Sequence, residues 1–152
     1  MTKRRPVTIR AFRKPNGEID FDMIENGVAT DILIFNKDND NMPKSDDYDI
    51  EYTLQNDPGV NLAFVNRQNR PGEPVIFIAE GTATHIPECP KGPSSTPIKD
   101  FTVGNPTDTT LKVKNKDETA CFYKFVLRFV DKDTDEIVEY DPIWGNQNGG
   151  RL

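Results

Sequence analysis

The chain reads as an all-β protein: a single-domain, antiparallel β-sandwich. Three observations predict this. Apolar residues almost never recur at helical spacing. Short alternating or continuous apolar runs recur instead, the pattern of half-buried and buried strands. The 12 prolines and 10 glycines of the 152 residues fall largely between those runs, where they punctuate turns.

Taken in order, Val7 to Arg13 alternates and reads as a strand. Pro15-Asn16-Gly17 turns the chain, Ile19 to Ile24 returns, Asn26-Gly27 turns again, and Val28 to Phe35 completes an expected meander. KDNDNMPKSDD, 37 to 47, is a polar loop. Its Asp38, Asp40, Asp46 and Asp47 could bind calcium, but the glycine and distal glutamate of an EF-hand loop are not at their spacing, so a solvated loop is the reading. Strands follow at Tyr48 to Leu54, Val60 to Val65 and Val75 to Ala79, the last two joined through Pro71-Gly72.

Gly81 to Asp100 carries Pro87, Pro90, Pro93 and Pro97. It is expected to cross an edge, because proline cannot donate to a central ladder. His85 and Cys89 are four apart, a spacing metal sites use. No second pair completes a zinc set, so no metal is expected there. Phe101 to Gly104, Thr109 to Lys114 and Cys121 to Val130 are the next strands. Asp131 to Glu136 is a polar turn and Ile137 to Trp144 closes the sheet. Residues 1–145 form the domain and 146–152 a Gly-rich tail expected to fray.

Composition narrows the function classes. The net charge of −6 argues against nucleic acid or an anionic membrane as partner. No apolar run is long enough to span a bilayer, and the basic start is not followed by an apolar signal core, so a cytoplasmic location is expected. Cys89 and Cys121 are then expected as free thiols. One histidine, His85, is too few for a catalytic triad or a histidine-rich metal site. No cofactor is demanded.

The chemistry-bearing element is the Asp141-Pro142 step. An aspartate can close its carboxyl onto its own main-chain carbonyl as a five-membered cyclic anhydride, an intramolecular attack of high effective molarity. The leaving nitrogen is that of a tertiary amide. Most Asp-Pro pairs are ordinary strand or turn boundaries, and Asp57-Pro58-Gly59 is an internal control that reads as a turn.

Strand register then assigns neighbours. If Val130 and Ile137 flank the turn as a pair, Phe129 faces Val138, Leu127 faces Tyr140, Phe125 faces Pro142 and Tyr123 faces Trp144, one continuous apolar face. With Cys121 opposite Asn115, Tyr123 also faces Val113 and Phe125 faces Leu111. The other face sets Arg128 between Asp108 and Glu139, Val126 between Thr110 and Asp141, and Lys124 between Lys112 and Ile143, diagonal to Asp141 and within its reach. Asp141 would supply the internal nucleophile and Lys124 the amine that opens the anhydride. Asp108 and Glu139 could hold water or shuttle the proton. Lys112, with the apolar Phe122, Val126 and Ile143, would have to lower the Lys124 pKa. The plain alternative is a solvated outer face of surface charge pairs.

Phe101 to Pro142, FTVGNPTDTTLKVKN…FYKFVLRFVDKDTDEIVEYDP, resembles the C-terminal part of the bacterial DP-EP family. The resemblance rests on Asn105-Pro-Thr-Asp-Thr-Thr110, the Tyr123-Lys124 strand, the Asp-rich turn and the Asp-Pro step, and covers about the last third of the chain (101–145). It implies a small β-sandwich that cuts its terminal Asp-Pro bond, keeps the short C-terminal strand in the sheet, and can link a neighbouring lysine to the aspartate. Carried over, the bond is Asp141-Pro142 and the lysine is Lys124, with Asp108 the choice for the water-activating aspartate. The other function class is a non-enzymatic binding or assembly module, in which the last strand is exchanged with a second copy of the chain. A sugar-binding reading comes last, because the register buries Trp144 and Tyr140.

Overall fold

The computed structural model describes residues 2–94 and 98–147. It is an all-β sandwich of two packed sheets, and among the described residues no segment is helical. The strands are β1 Thr2–Arg13, β2 Ile19–Glu25, β3 Val28–Ala29, β4 Ile32–Phe35, β5 Asp47–Asn56, β6 Leu62–Phe64, β7 Ile76–Glu80, β8 Phe101–Val103, β9 Thr110–Asn115, β10 Cys121–Asp131, β11 Ile137–Tyr140 and β12 Ile143–Asn146.

The first sheet has the order β3-β2-β1-β5-β9-β8. The second is built on β10, whose residues take partners on both sides. Leu127 pairs with Tyr140 of β11 on one flank and Ile76 of β7 on the other. Phe129 likewise pairs with Val138 of β11 and Phe64 of β6. Thus β11 and β12 lie end to end along one side of β10, and β6 and β7 along the other. β4 closes the second sheet outside β12.

Three expectations are corrected. The sandwich is not wholly antiparallel: β1 runs parallel to β5 and β12 parallel to β4. The meander stops at β3, because Thr30 and Asp31 break the run from 28 to 35 and β4 crosses to the second sheet. Thr30 Oγ1 donates to Ile32 O at 2.8 Å, which makes a local turn of that break. Finally, β9 and β10 do not pair. β9 lies between β5 and β8, so Leu111 and Val113 meet the core from the sheet opposite Tyr123 and Phe125. Alternation predicted which side chains point inward but not which strand lies beside which.

The polar loop from 37 to 47 is organised by a cation of its own. Lys37 is only 1% exposed, and its ammonium donates to Lys44 O at 2.8 Å and to Lys116 O. The Asp131–Glu136 turn is closed by its own bonds: Asp131 Oδ1 accepts from Asp133 N at 2.9 Å, and Asp131 N donates to Glu136 O at 2.8 Å.

The core converges on β12. Trp144 is 0% exposed, its ring 4.4 Å from that of Phe125 and 4.9 Å from Phe35, and its Nε1 donates to Tyr52 Oη at 2.9 Å. Asn146, expected to begin the tail, is fully buried in β12. There it exchanges hydrogen bonds with Asn115 and donates to Asp100 Oδ2 at 3.2 Å. Beyond Gln147 the expected tail lies outside the described residues.

Candidate functional site

The pairing of β10 with its C-terminal neighbours follows the expected register throughout. Val130 to Leu127 pair with Ile137 to Tyr140, and Lys124 to Cys121 with Ile143 to Asn146, with no slip between the two runs. The expected single strand is nonetheless interrupted at Asp141-Pro142. Pro142 has no N–H to give the ladder. Its carbonyl still accepts from Phe125 N at 3.0 Å, and Ile143 N donates to Asp31 O at 3.1 Å, so both sides of the break are held in place.

On the outer face, Lys124 Nζ lies 3.5 Å from Asp141 Oδ2. The lysine side chain is 20% exposed and the aspartate 55%. Lys124 is flanked in the ladders by Ala79 of β7 and Ile143 of β12. Lys112, expected beside it, is in the other sheet opposite Glu51.

The pair opens into a cleft of about 540 Å³ between β2 and the β11–β12 strand. Asp20, Asp22, Asp31, Glu139 and Asp141 line it, with Lys124 its one cation among the described residues. Burial, then the charges of Asp31, Asp141, Asp22 and Asp20, push the Tyr140 phenol far up, so its proton is retained. That hydroxyl is buried, and among the described residues it has no hydrogen-bond partner.

Glu139 is where the register predicts: opposite Arg128, with Nε and Oε2 3.5 Å apart. Asp108 is not. The place expected of it beside Arg128 belongs to Glu73 at 3.4 Å, and the guanidinium lies 4.8 Å over the Phe77 ring. Asp108 instead accepts from Asn66 at 2.8 Å and pairs with Lys132 at 3.0 Å, contacts that hold its carboxyl below the ordinary range. Its main-chain oxygen bonds Phe64 N, on the flank of β10 away from β12. Phe64 pairs with Phe129, five residues from Lys124 and so roughly 16 Å along the strand. Asp108 therefore lies well away from Asp141, and the carboxylates that share the cleft with it are Asp20, Asp22, Asp31 and Glu139.

The internal control is informative. Both guanidinium nitrogens of one Arg10 edge clamp the Asp57 carboxylate, at 2.9 and 2.6 Å, and that hydrogen bonding holds its pKa down. A carboxylate so held is a poor nucleophile toward its own carbonyl. Asp141 has the longer, 3.5 Å contact to Lys124 and no such clamp among the described residues.

Sequence reasoning missed Asp31, which reaches the cleft through the crossing of β4. Burial, then the charge of Asp141, raises the Cys89 thiol, while Lys124 lowers it; these groups and Glu139 are its charged neighbours. The His85 ring bonds Thr84 Oγ1 at 2.8 Å, so His85 and Cys89 serve different neighbours. Cys121 is buried, and both cysteines are free.

No protein-family profile matches this chain, and no curated protein matches it significantly. The reading of the site rests on its own geometry.

Proposed function

We propose that this chain cleaves its own Asp141-Pro142 bond, a single-turnover intramolecular endopeptidase reaction, and that Lys124 then captures Asp141 as an amide. One observation carries the reading: the amine of Lys124 is 3.5 Å from the carboxylate of an aspartate whose following bond interrupts an otherwise unbroken ladder. The Asp141 carboxyl closes onto its main-chain carbonyl and the C–N bond to Pro142 breaks. The proline nitrogen leaves with a proton, and the product is a cyclic anhydride. Water or the Lys124 amine opens it.

The resemblance to the DP-EP family supports the same bond and the same lysine. So does the position of β12. Held between β10 and β4 and anchored by Trp144, it would remain in the sheet after the cut. A central strand of this kind also favours reaction within one chain over strand exchange with a second copy.

Intact mass spectrometry under denaturing conditions tests the proposal. Two fragments parting at Asp141-Pro142, the larger lighter by one water, are expected. A single unchanged mass after incubation across a range of pH would refute it.

A further inference from the structure

Pro142 is held on both sides independently of its bond to Asp141. Phe125 N donates to the Pro142 carbonyl at 3.0 Å, and Ile143 N donates to Asp31 O at 3.1 Å. The parallel register sets Ile143 against Ile32. One residue back along both chains, Pro142 comes beside Asp31, at the about 4.8 Å spacing of neighbouring strands. Asp141 and Ile143, on either side of Pro142, line the cleft together with Asp31. Pro142 itself is buried.

The cut moves the positive charge of this cleft. Before it, the carboxylates of Asp20, Asp22, Asp31, Glu139 and Asp141 face one ammonium among the described residues, that of Lys124. As the C–N bond breaks, the Pro142 nitrogen takes one proton to become a secondary amine. It takes a second to become an ammonium at neutral pH. When Lys124 forms its amide with the Asp141 side-chain carbonyl, its ammonium gives up two protons and its charge. The ring C–O bond breaks, and the Asp141 main-chain carboxylate replaces the side-chain one. The protons balance, and the cation has passed from Lys124 to Pro142. A charge created on a buried residue must be paired to be tolerated.

We propose that the Asp31 carboxylate is the counter-ion of the Pro142 ammonium and seats the new chain start in the sheet. The inference rests on the self-cleavage reading above. Register singles out Asp31 among the five carboxylates. The β4–β12 ladder does not include the broken bond, so Asp31 keeps its place beside Pro142 after the cut. Asp20 and Asp22 belong to β2 and its approach in the other sheet, while Glu139 and the freed Asp141 end lie on the far side of the break. Lys124 of β10, the one cation that would oppose the ammonium, loses its charge in the same reaction.

The fragment from 142 to 152 contains no lysine, so the Pro142 nitrogen is its one amine. The cut full-length chain is exposed under native conditions to an N-acetylating reagent over a series of pH values. It is then denatured, and the label on this fragment is read by mass. The labelling midpoint of the wild type should lie about one pH unit above that of the free synthetic 142–152 peptide. Asp31→Asn should still be cut and should keep the fragment on gel filtration, with its midpoint about one unit lower than wild type; Asp31→Glu should restore it. Equal midpoints in cut wild type and Asp31→Asn would assign the ammonium to the freed Asp141 carboxylate and overturn the proposal, with self-cleavage intact. Where Asp31→Asn does not fold, is not cut or loses the fragment, the wild type decides: a midpoint above that of the peptide supports the pairing, and one at or below it overturns the pairing. If the wild type is not cut at all, self-cleavage fails and the pairing with it.

Discussion

Asp141 and Asp57 precede prolines in the same chain and differ in what holds their carboxylates. Asp57 is fixed by a bidentate Arg10, whereas Asp141 lies 3.5 Å from the Lys124 amine. Asp141→Ala should abolish the cut, while Asp57-Pro58 stays intact in every variant; peptide mapping of the incubated protein checks both. Pro142→Ala should slow the cut, because an ordinary secondary amide then replaces the tertiary one. A time course of intact masses measures that rate. Lys124→Ala should leave the cut in place but remove the link, so that the fragment masses sum to the chain plus one water. Lys124 and Asp141 are a partly exposed pair, contributing about 0–1 kcal/mol, so this variant should fold.

At the scale of the element, β12 is the strand that would have to stay in the sheet after the proposed cut. Its retention depends on two ladders, on Trp144 in the aromatic core and on Asn146 in the buried amide network. Trp144→Ala should cost about 3–5 kcal/mol. Asn146→Ala leaves Asn115 and Asp100 short of a partner, at about 1–3 kcal/mol for an unsatisfied buried group. Because the Lys124–Asp141 amide would lie wholly within the larger fragment, only packing holds the C-terminal peptide after the cut; either change should release that peptide on gel filtration, and the unchanged strand should co-elute. The DKDTDE turn is separate from this chemistry: its carboxylates hold its own backbone and Arg70.

For the whole molecule, the joint between β1, the polar loop and β5 links folding to pH. Burial raises the pKa of Asp40, but hydrogen bonds from Tyr48 at 2.6 Å and Lys3 at 3.1 Å outweigh it, and the carboxyl ends below its usual range. A depressed carboxylate contributes stability that is complete above its unfolded value, about pH 4, and is lost as pH falls through the folded value. Asp40→Asn should therefore destabilise near neutral pH, and its cost should shrink as pH falls below about 4. Denaturant melts near neutral pH and below about pH 4, compared with wild type, decide the point.

Much of the site is legible in the strand pattern alone. The β10 register, the Arg128–Glu139 pair and the approach of Lys124 to Asp141 all follow from alternation along two runs joined by a six-residue turn. There, a one-residue slip would have turned an entire apolar face outward. The expected all-β sandwich follows from the same period-two pattern. What lay beyond reach was every pairing between strands distant in sequence. Alternation marks the inward face of β9 but is satisfied equally by a neighbour within the sheet or across the core, so Asp108 and Lys112 were assigned to the wrong surroundings. Nothing local requires β4 to cross between sheets and bring Asp31, or the proline-rich segment to turn back on Gly81. By itself the sequence determined the strands, their faces and the one short-range register that joins Lys124 to Asp141. Only the tertiary structure decided which carboxylates surround that pair, because long-range pairing is set by the packing of the whole core and leaves no periodic mark on the segments it joins.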